Sequence, residues 1–160
     1  MIRSCNYSDF DSIYHIINEA AHAYQGKIPA DCWHEPYMDR AALLREMDAG
    51  VRFSGWEEEG VLAGIMGIQN VLDATLIRHA YVHSMYQGKG IGGRLLDHLI
   101  ENPDNNLMVG TWAAAVWAIR LYERHGFHLV NEVEKDKLLR KYWKISDRQR
   151  ETSVVLKRIP

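Results

Sequence analysis

The chain has 160 residues, 47% of them hydrophobic and 25% charged, which fits one domain with an ordinary core and argues against disorder. Its formal net charge of −2 gives no electrostatic footing for nucleic acid. Cys5 and Cys32 have no metal-type spacing and no disulfide framework, and neither an export signal nor a long apolar run is seen. A reduced cytoplasmic setting without membrane contact is therefore expected.

In chain order, Ile2 to Cys5 is a short strand. Ser8 is expected to cap a helix from Asp9 to about Tyr24, with Ile13, Ile16, Ile17, Ala20 and Ala21 as its apolar stripe. Gln25 to Pro29 breaks it, and Ala30 to Tyr37 is aromatic and irregular. A second helix runs from Asp39 to Asp48, with Gly50 after it. Val51 to Glu58 and Val61 to Gln69 form a hairpin around Glu59-Gly60, and a long strand follows from Thr75 to His83. After a glycine run, Ile91 to Glu101 has a continuous apolar stripe and Asn102-Pro103 stops it. Leu107 to Gly110 reads as a strand. Ala113 to His125 reads as a helix with Trp117, Ala118 and Leu121 inward, closed by Gly126. Phe127 to Val133 is expected to be a strand, Lys135 to Tyr142 a helical turn, and Thr152 to Ile159 a last strand. This order is α+β or mixed α/β.

The run Gln87-Gly88-Lys89-Gly90-Ile91-Gly92-Gly93 sits where a strand meets a helix. Small residues there let the backbone approach a ligand, and the fresh helix N-terminus offers unpaired N–H groups. That is an anion site, most often for phosphate. Gly88-x-Gly90-x-x-Gly93 formally matches the dinucleotide fingerprint, but it follows three strands that look antiparallel, and Val109 to Ala113 holds no ribose-binding acid. A P-loop would need Ser or Thr after Lys89, where Gly90 stands.

The segment Tyr81 to Gly92 resembles the acetyl-CoA motif of the GNAT (GCN5-related) N-acetyltransferases: a valine on the fourth strand, then, five residues on, Arg or Gln-x-x-Gly-x-Gly/Ala. Val82, Gln87, Gly90 and Gly92 fall on it. Ala118 to Phe127 is similar to a second element of that family, Ala-x-x-Phe/Leu-Tyr-x-x-x-Gly-Phe. Two departures stand out. Ala115 lies where many relatives carry Asn, seven residues before the tyrosine, and Ser84 replaces a frequent proline.

The resemblance spans the chain. It implies a central, mostly antiparallel, twisted sheet of about six to seven strands with helices on both faces, splayed between the fourth and fifth strands. It further implies acetyl-CoA as co-substrate and no metal. The N–H groups of Gly88 to Gly93 would cradle the pyrophosphate, the backbone of Ala80, Tyr81 and Val82 would take the pantetheine arm, and the amide near Val82 would polarise the thioester. Lys89 and Arg94 either meet phosphate oxygens or are solvated charges.

Tyr122 is the expected general acid for the leaving thiolate, against the plainer reading of a packed helix tyrosine. For the base, family members use a strand Glu or His three or four residues before the valine, or a water chain. Arg78 and His79 occupy those positions. His79 is the candidate, His83 a weaker second, and alternation puts His79, Tyr81 and His83 on one face. Tyr24, Trp33, His34, Glu35, Tyr142 and Trp143 would wall the acceptor pocket or form a homodimer contact. The expected reaction is acetylation of a small-molecule or amino-acid-like amine. Acylation of a protein N-terminus or lysine, and a CoA-binding sensor without turnover, are the alternatives.

Overall fold

A computed structural model describes residues 1–101 and 106–158. The strands are β1 (Ile2–Ser4), β2 (Arg52–Glu58), β3 (Val61–Val71), β4 (Ala74–Val82), β5 (Leu107–Trp112), β6 (Phe127–Leu129) and β7 (Ser153–Arg158). The helices are α1 (Phe10–Ala20), α2 (Arg40–Asp48), α3 (Ile91–Ile100), α4 (Val116–Glu123), α5 (Glu132–Tyr142) and α6 (Asp147–Glu151). One sheet runs β1-β2-β3-β4-β5-β7-β6, antiparallel except for β4 beside β5.

That parallel pair positions the site. β4 and β5 pair only over Thr75–Ile77 and Leu107–Val109, after which β4 continues to Val82 without β5. The sheet splays there, as the resemblance implied. On its other edge β4 stays on β3, with one irregularity. Ile65 faces Tyr81 and Gly67 faces Arg78, so Met66 alone opposes both His79 and Ala80. His79 takes φ +55°, the left-handed region that non-glycine residues seldom occupy, and this accommodates the extra residue as a β-bulge.

The helices cover both faces. Ile13, Ile16 and Ile17 of α1 and Leu43 of α2 pack on Phe53 and Ile65. Leu95 and Leu96 of α3 and Tyr122 of α4 pack on Met66, Ile77 and Phe127 on the opposite face. α5 returns to the first face, where Tyr142 meets Leu76 and Met108.

Several boundaries differ from the sequence expectations for local reasons. Asn6, not Ser8, starts the first helical segment. Its side chain accepts from the Ser8 N–H (2.8 Å), and its own N–H donates to Asp9 (2.9 Å). The expected Asp9–Tyr24 helix is three pieces, with single 3₁₀ turns at Tyr7–Asp9 and Ala21–Tyr24 flanking α1. The expected strand to Val133 ends at Leu129, because Asn131 accepts from the Glu134 N–H (2.9 Å) and starts α5 at Glu132. α6, capped by Ser146, was not expected. Residues 113–115 are a turn rather than helix, so α4 turns Ala118 and Tyr122 inward and leaves Trp117 44% exposed. The Asn102-Pro103 stop and the Ile159 strand end lie outside the described residues. No helix among the described residues is long and apolar enough to cross a membrane.

Candidate active site

After β4 the chain is anchored before it reaches the glycines. The Ser84 N–H donates to Glu19 of α1 (2.8 Å), its hydroxyl donates to the same carboxylate, and Gln87 Nε2 folds back onto the Val82 carbonyl (3.2 Å). Burial works against ionisation of Glu19, but the Ser84 contacts together with His83 and His15 outweigh it and hold the carboxyl below its usual range. Gly88 and Gly90 take φ +80° and +78°, with nothing within 4 Å of where a Cβ would stand, so conformation rather than crowding requires glycine there. Gly90 is the N-cap of α3 and offers no side-chain acceptor. The N–H groups of Ile91, Gly92 and Gly93 are therefore left without intrahelical partners at the start of the helix. A Cβ at Gly92 or Gly93 would meet Leu121 or His125 only at ordinary van der Waals distance.

Two basic side chains flank this turn. Lys89 lies over the Tyr86 ring with Nζ 3.9 Å from Glu58. Arg94 lies over Trp56 and has no carboxylate partner among the described residues. The His83 N–H donates to the Ala63 carbonyl (2.9 Å), so by strand alternation the backbone groups of Ala80 and Val82 face away from β3, into the gap β5 has left.

Along that gap runs a slot of about 180 Å³, lined by Ala80, Tyr81 and Val82, by Gln87 and Gly92, and by Tyr122. Tyr122 is 3% exposed, sits edge-on to Phe127 (ring centroids 5.6 Å), and has no hydroxyl partner among the described residues. Burial pushes its phenol well above the usual range, so it carries its proton at neutral pH. Trp117, expected inward, instead forms the outer wall of the slot and stacks on Tyr24 (6.0 Å).

On the other side of the splay lies a cavity of about 570 Å³. His34, Tyr37, Glu46, Arg78, His79 and Trp143 are among the residues that line it. The Trp112 indole donates to Tyr37 (2.7 Å), the Tyr24 ring packs against Tyr37 (5.4 Å), and the Tyr24 and Tyr81 hydroxyls are 3.4 Å apart. Burial pushes Tyr24, Tyr37 and Tyr81 upward, so these phenols also stay protonated. Tyr24 and Tyr81 line both the slot and the cavity.

His79, Tyr81 and His83 do share the α1 and α2 face, and the bulge adds Arg78 to it. His79 and Arg78 both reach Glu46 of α2. His83 instead accepts from the Met85 N–H (3.1 Å), stacks on His15, and does not line the cavity. Trp33 packs on Tyr37 and His22, away from the cavity wall. Glu35 is exposed and meets His22 (3.0 Å). Tyr142 lies outside the cavity, its ring in the core and its hydroxyl donating to Asp73, while its neighbour Trp143 lines the wall and packs over Gly110. Glu46 went unnoticed in the sequence. The signal was its place three residues after Leu43, a carboxylate on the inward face of α2.

The family model for the acetyltransferase (GNAT) family matches residues 10–127. The chain belongs to that family. This GNAT protein is an N-acetyltransferase with acetyl-CoA as its donor. It is 28% identical over 131 residues to the ribosomal protein bS18-alanine N-acetyltransferase of Escherichia coli K12, covering 79% of this chain and 80% of that one. The crystal structure of the ribosomal-protein-S18-alanine N-acetyltransferase from Escherichia coli superposes with a TM-score of 0.71 at 21% identity, covering 99% and 92% of the two chains. That of the PaiA N-acetyltransferase from Thermoplasma acidophilum, in complex with coenzyme A, gives 0.73 at 15% identity, covering 100% and 98%. At these identities the structural likeness is one of fold.

Against the GNAT pattern, Ala115 is fully buried under Tyr24 and Trp112, and its backbone N–H bonds the Trp112 carbonyl (3.0 Å). At the other departure, Ser84 holds the loop through Glu19. Among the described residues no group of three or more His, Cys, Asp or Glu could hold a metal ion.

Proposed function

We propose that this acetyltransferase moves the acetyl group to a primary amine of a small molecule or amino-acid-like acceptor, by direct attack in a ternary complex. One observation carries the reading: Tyr24 and Tyr81 are common walls of the slot beside β4 and of the large cavity beyond it. A donor in the slot and an acceptor in the cavity would meet at those two hydroxyls.

Acetyl-CoA supplies the acyl group as a thioester. The open φ-positive glycine turn and the unpartnered N–H groups at the start of α3 suit its pyrophosphate, with Gln87 holding the turn and Lys89 and Arg94 flanking it. The gap-facing backbone of Ala80 and Val82 would bind the pantetheine arm. The Val82 N–H would stabilise negative charge developing on the thioester oxygen. Tyr81 contributes its ring, since its backbone faces β3. Tyr122 donates its proton to the departing thiolate, and the burial that raises the phenol would raise that thiol in the same slot. Most alkylamines are protonated near pH 7 and must lose a proton before attack. His79, on the cavity wall, takes it.

A second reading is acetylation of a peptide N-terminus, favoured by the sequence likeness to the bS18-alanine enzyme. An α-amine, with a pKa of about 7.7–8.0, needs less help to lose its proton than a lysine at about 10.4.

Free-thiol release from acetyl-CoA tests the choice, using a panel of small primary amines, free amino acids and a short peptide beginning with alanine. The small amines or amino acids are expected to drive release. Release with the peptide alone selects the second reading. Tight CoA binding without release by any amine overturns both.

A further inference from the structure

Two consecutive residues of β4 reach one oxygen of one carboxylate. The bulge at His79 turns Arg78 and His79 to the same face of the sheet. Arg78 Nη2 donates to Glu46 Oε1 at 2.7 Å, and His79 Nε2 lies 2.7 Å from the same atom. A second arm of Arg78 donates to Gln69 Oε1 (2.9 Å), so the guanidinium is fixed from two sides. Glu46 projects from the inward face of α2 and its side chain is only 22% exposed. The His79 side chain is 13% exposed and rests against the Phe53 ring at 6.2 Å between centroids. Holding a histidine at φ +55° costs conformational energy. Strain of that kind persists where surrounding contacts over-determine a residue, and such places cluster at functional sites.

We propose that Glu46 is the positioning residue of the acceptor-side base, its carboxylate holding His79 by Nε2 so that Nδ1 is the atom left to take the amine's proton. This rests on the reading of His79 as the base given above. An imidazole beside a carboxylate donates its N–H to it, which fixes both the tautomer and the ring orientation. Nδ1 has no hydrogen-bond partner among the described residues, and His79 lines the acceptor cavity. Burial pushes the Glu46 carboxyl up, but His79 and Arg78 outweigh it and keep it below its usual range, so the anchor is anionic at neutral pH. In the reaction the amine nitrogen forms the C–N bond as the C–S bond breaks. His79 takes the ammonium proton at Nδ1 before attack, Tyr122 gives its proton to sulfur as the thiolate leaves, and the proton shed by the acylated nitrogen restores the Tyr122 phenol. Glu46 touches neither reactant and acts through the ring it holds.

The test joins a spectroscopic and a kinetic readout on the full chain. In ¹⁵N-labelled wild type at mildly alkaline pH, ring nitrogen shifts of His79 are expected to show the proton on Nε2. In Glu46→Gln, which removes the charge at almost unchanged shape, that single tautomer is expected to give way to a mixture. With the amine that drives thiol release best, Glu46→Gln is expected to lower kcat by about tenfold or more at unchanged acetyl-CoA KM. Glu46→Asp is expected to recover part of the loss, and is the variant to use if Glu46→Gln fails to fold. In a His79→Gln background, Glu46→Gln is expected to cost little more. An equal loss in that background, or a folded Glu46→Gln with wild-type kcat, overturns the proposal, as does a wild-type proton on Nδ1. If His79→Gln itself leaves kcat unchanged, the reading of His79 as the base has failed. A loss at His79→Gln with none at Glu46→Gln removes Glu46 alone.

Discussion

Tyr122 is set apart among the buried aromatic side chains by a hydroxyl in the slot beside β4 that has no partner among the described residues. Packing alone would be served by phenylalanine, since the ring already meets Phe127 edge-on. Tyr122→Phe is therefore expected to keep the melting temperature and the acetyl-CoA affinity, and to lower turnover by more than about tenfold. Calorimetric titration and steady-state rates measure the two separately, and unchanged turnover would remove the phenol from the proton path. The tyrosine was visible in the sequence because its neighbours Ala118, Leu121, Gly126 and Phe127 form a contiguous pattern. Glu46 and His79 meet across 33 positions, and Tyr24 and Tyr81 across 57, so no local pattern could have paired them.

Among the elements, the passage from β4 to α3, where the donor is proposed to bind, depends on backbone geometry. Gly90 caps α3 at φ +78° in open space, so Gly90→Ala meets no clash but forces an L-residue into the left-handed region, at about 1 kcal/mol. The expected result is a modest drop in melting temperature with a larger loss of CoA affinity. Equal affinity in the variant, by calorimetry, would show that the N–H cradle is not used. This passage was legible because small residues between a strand and an apolar-striped helix constrain one another locally. The pattern predicts α5 only from Lys135 because Phe127 to Val133 reads as strand, whereas Asn131 caps the helix at Glu132, and it misphases α4 because the alanines before it look helical and are a turn. The bulge at His79 has no sequence signature in a strand that otherwise alternates. It nevertheless determines that Arg78 and His79 point the same way.

Across the whole molecule, carboxylates tie the face that carries the site to the strand it serves: Glu19 of α1 to Ser84 after β4, and Glu46 of α2 to β4 itself. Both have pKa values below the ordinary carboxylate value in the folded state. Their stabilisation is fully present above the unfolded value of about 4.3 and is lost as pH falls through the depressed folded values. Thermal denaturation from pH 6 to pH 3 is expected to show a steepening loss below about pH 4. Glu46→Gln should flatten part of it, and an identical slope in the variant would contradict the assignment.

Donor and acceptor are proposed to occupy two cavities joined at Tyr24 and Tyr81 and to react without an acetyl-enzyme. Initial rates of thiol release over a grid of acetyl-CoA and amine concentrations test it most directly. Double-reciprocal lines that intersect are expected, because both substrates must be bound together. Parallel lines, the pattern of a covalent relay, would contradict it.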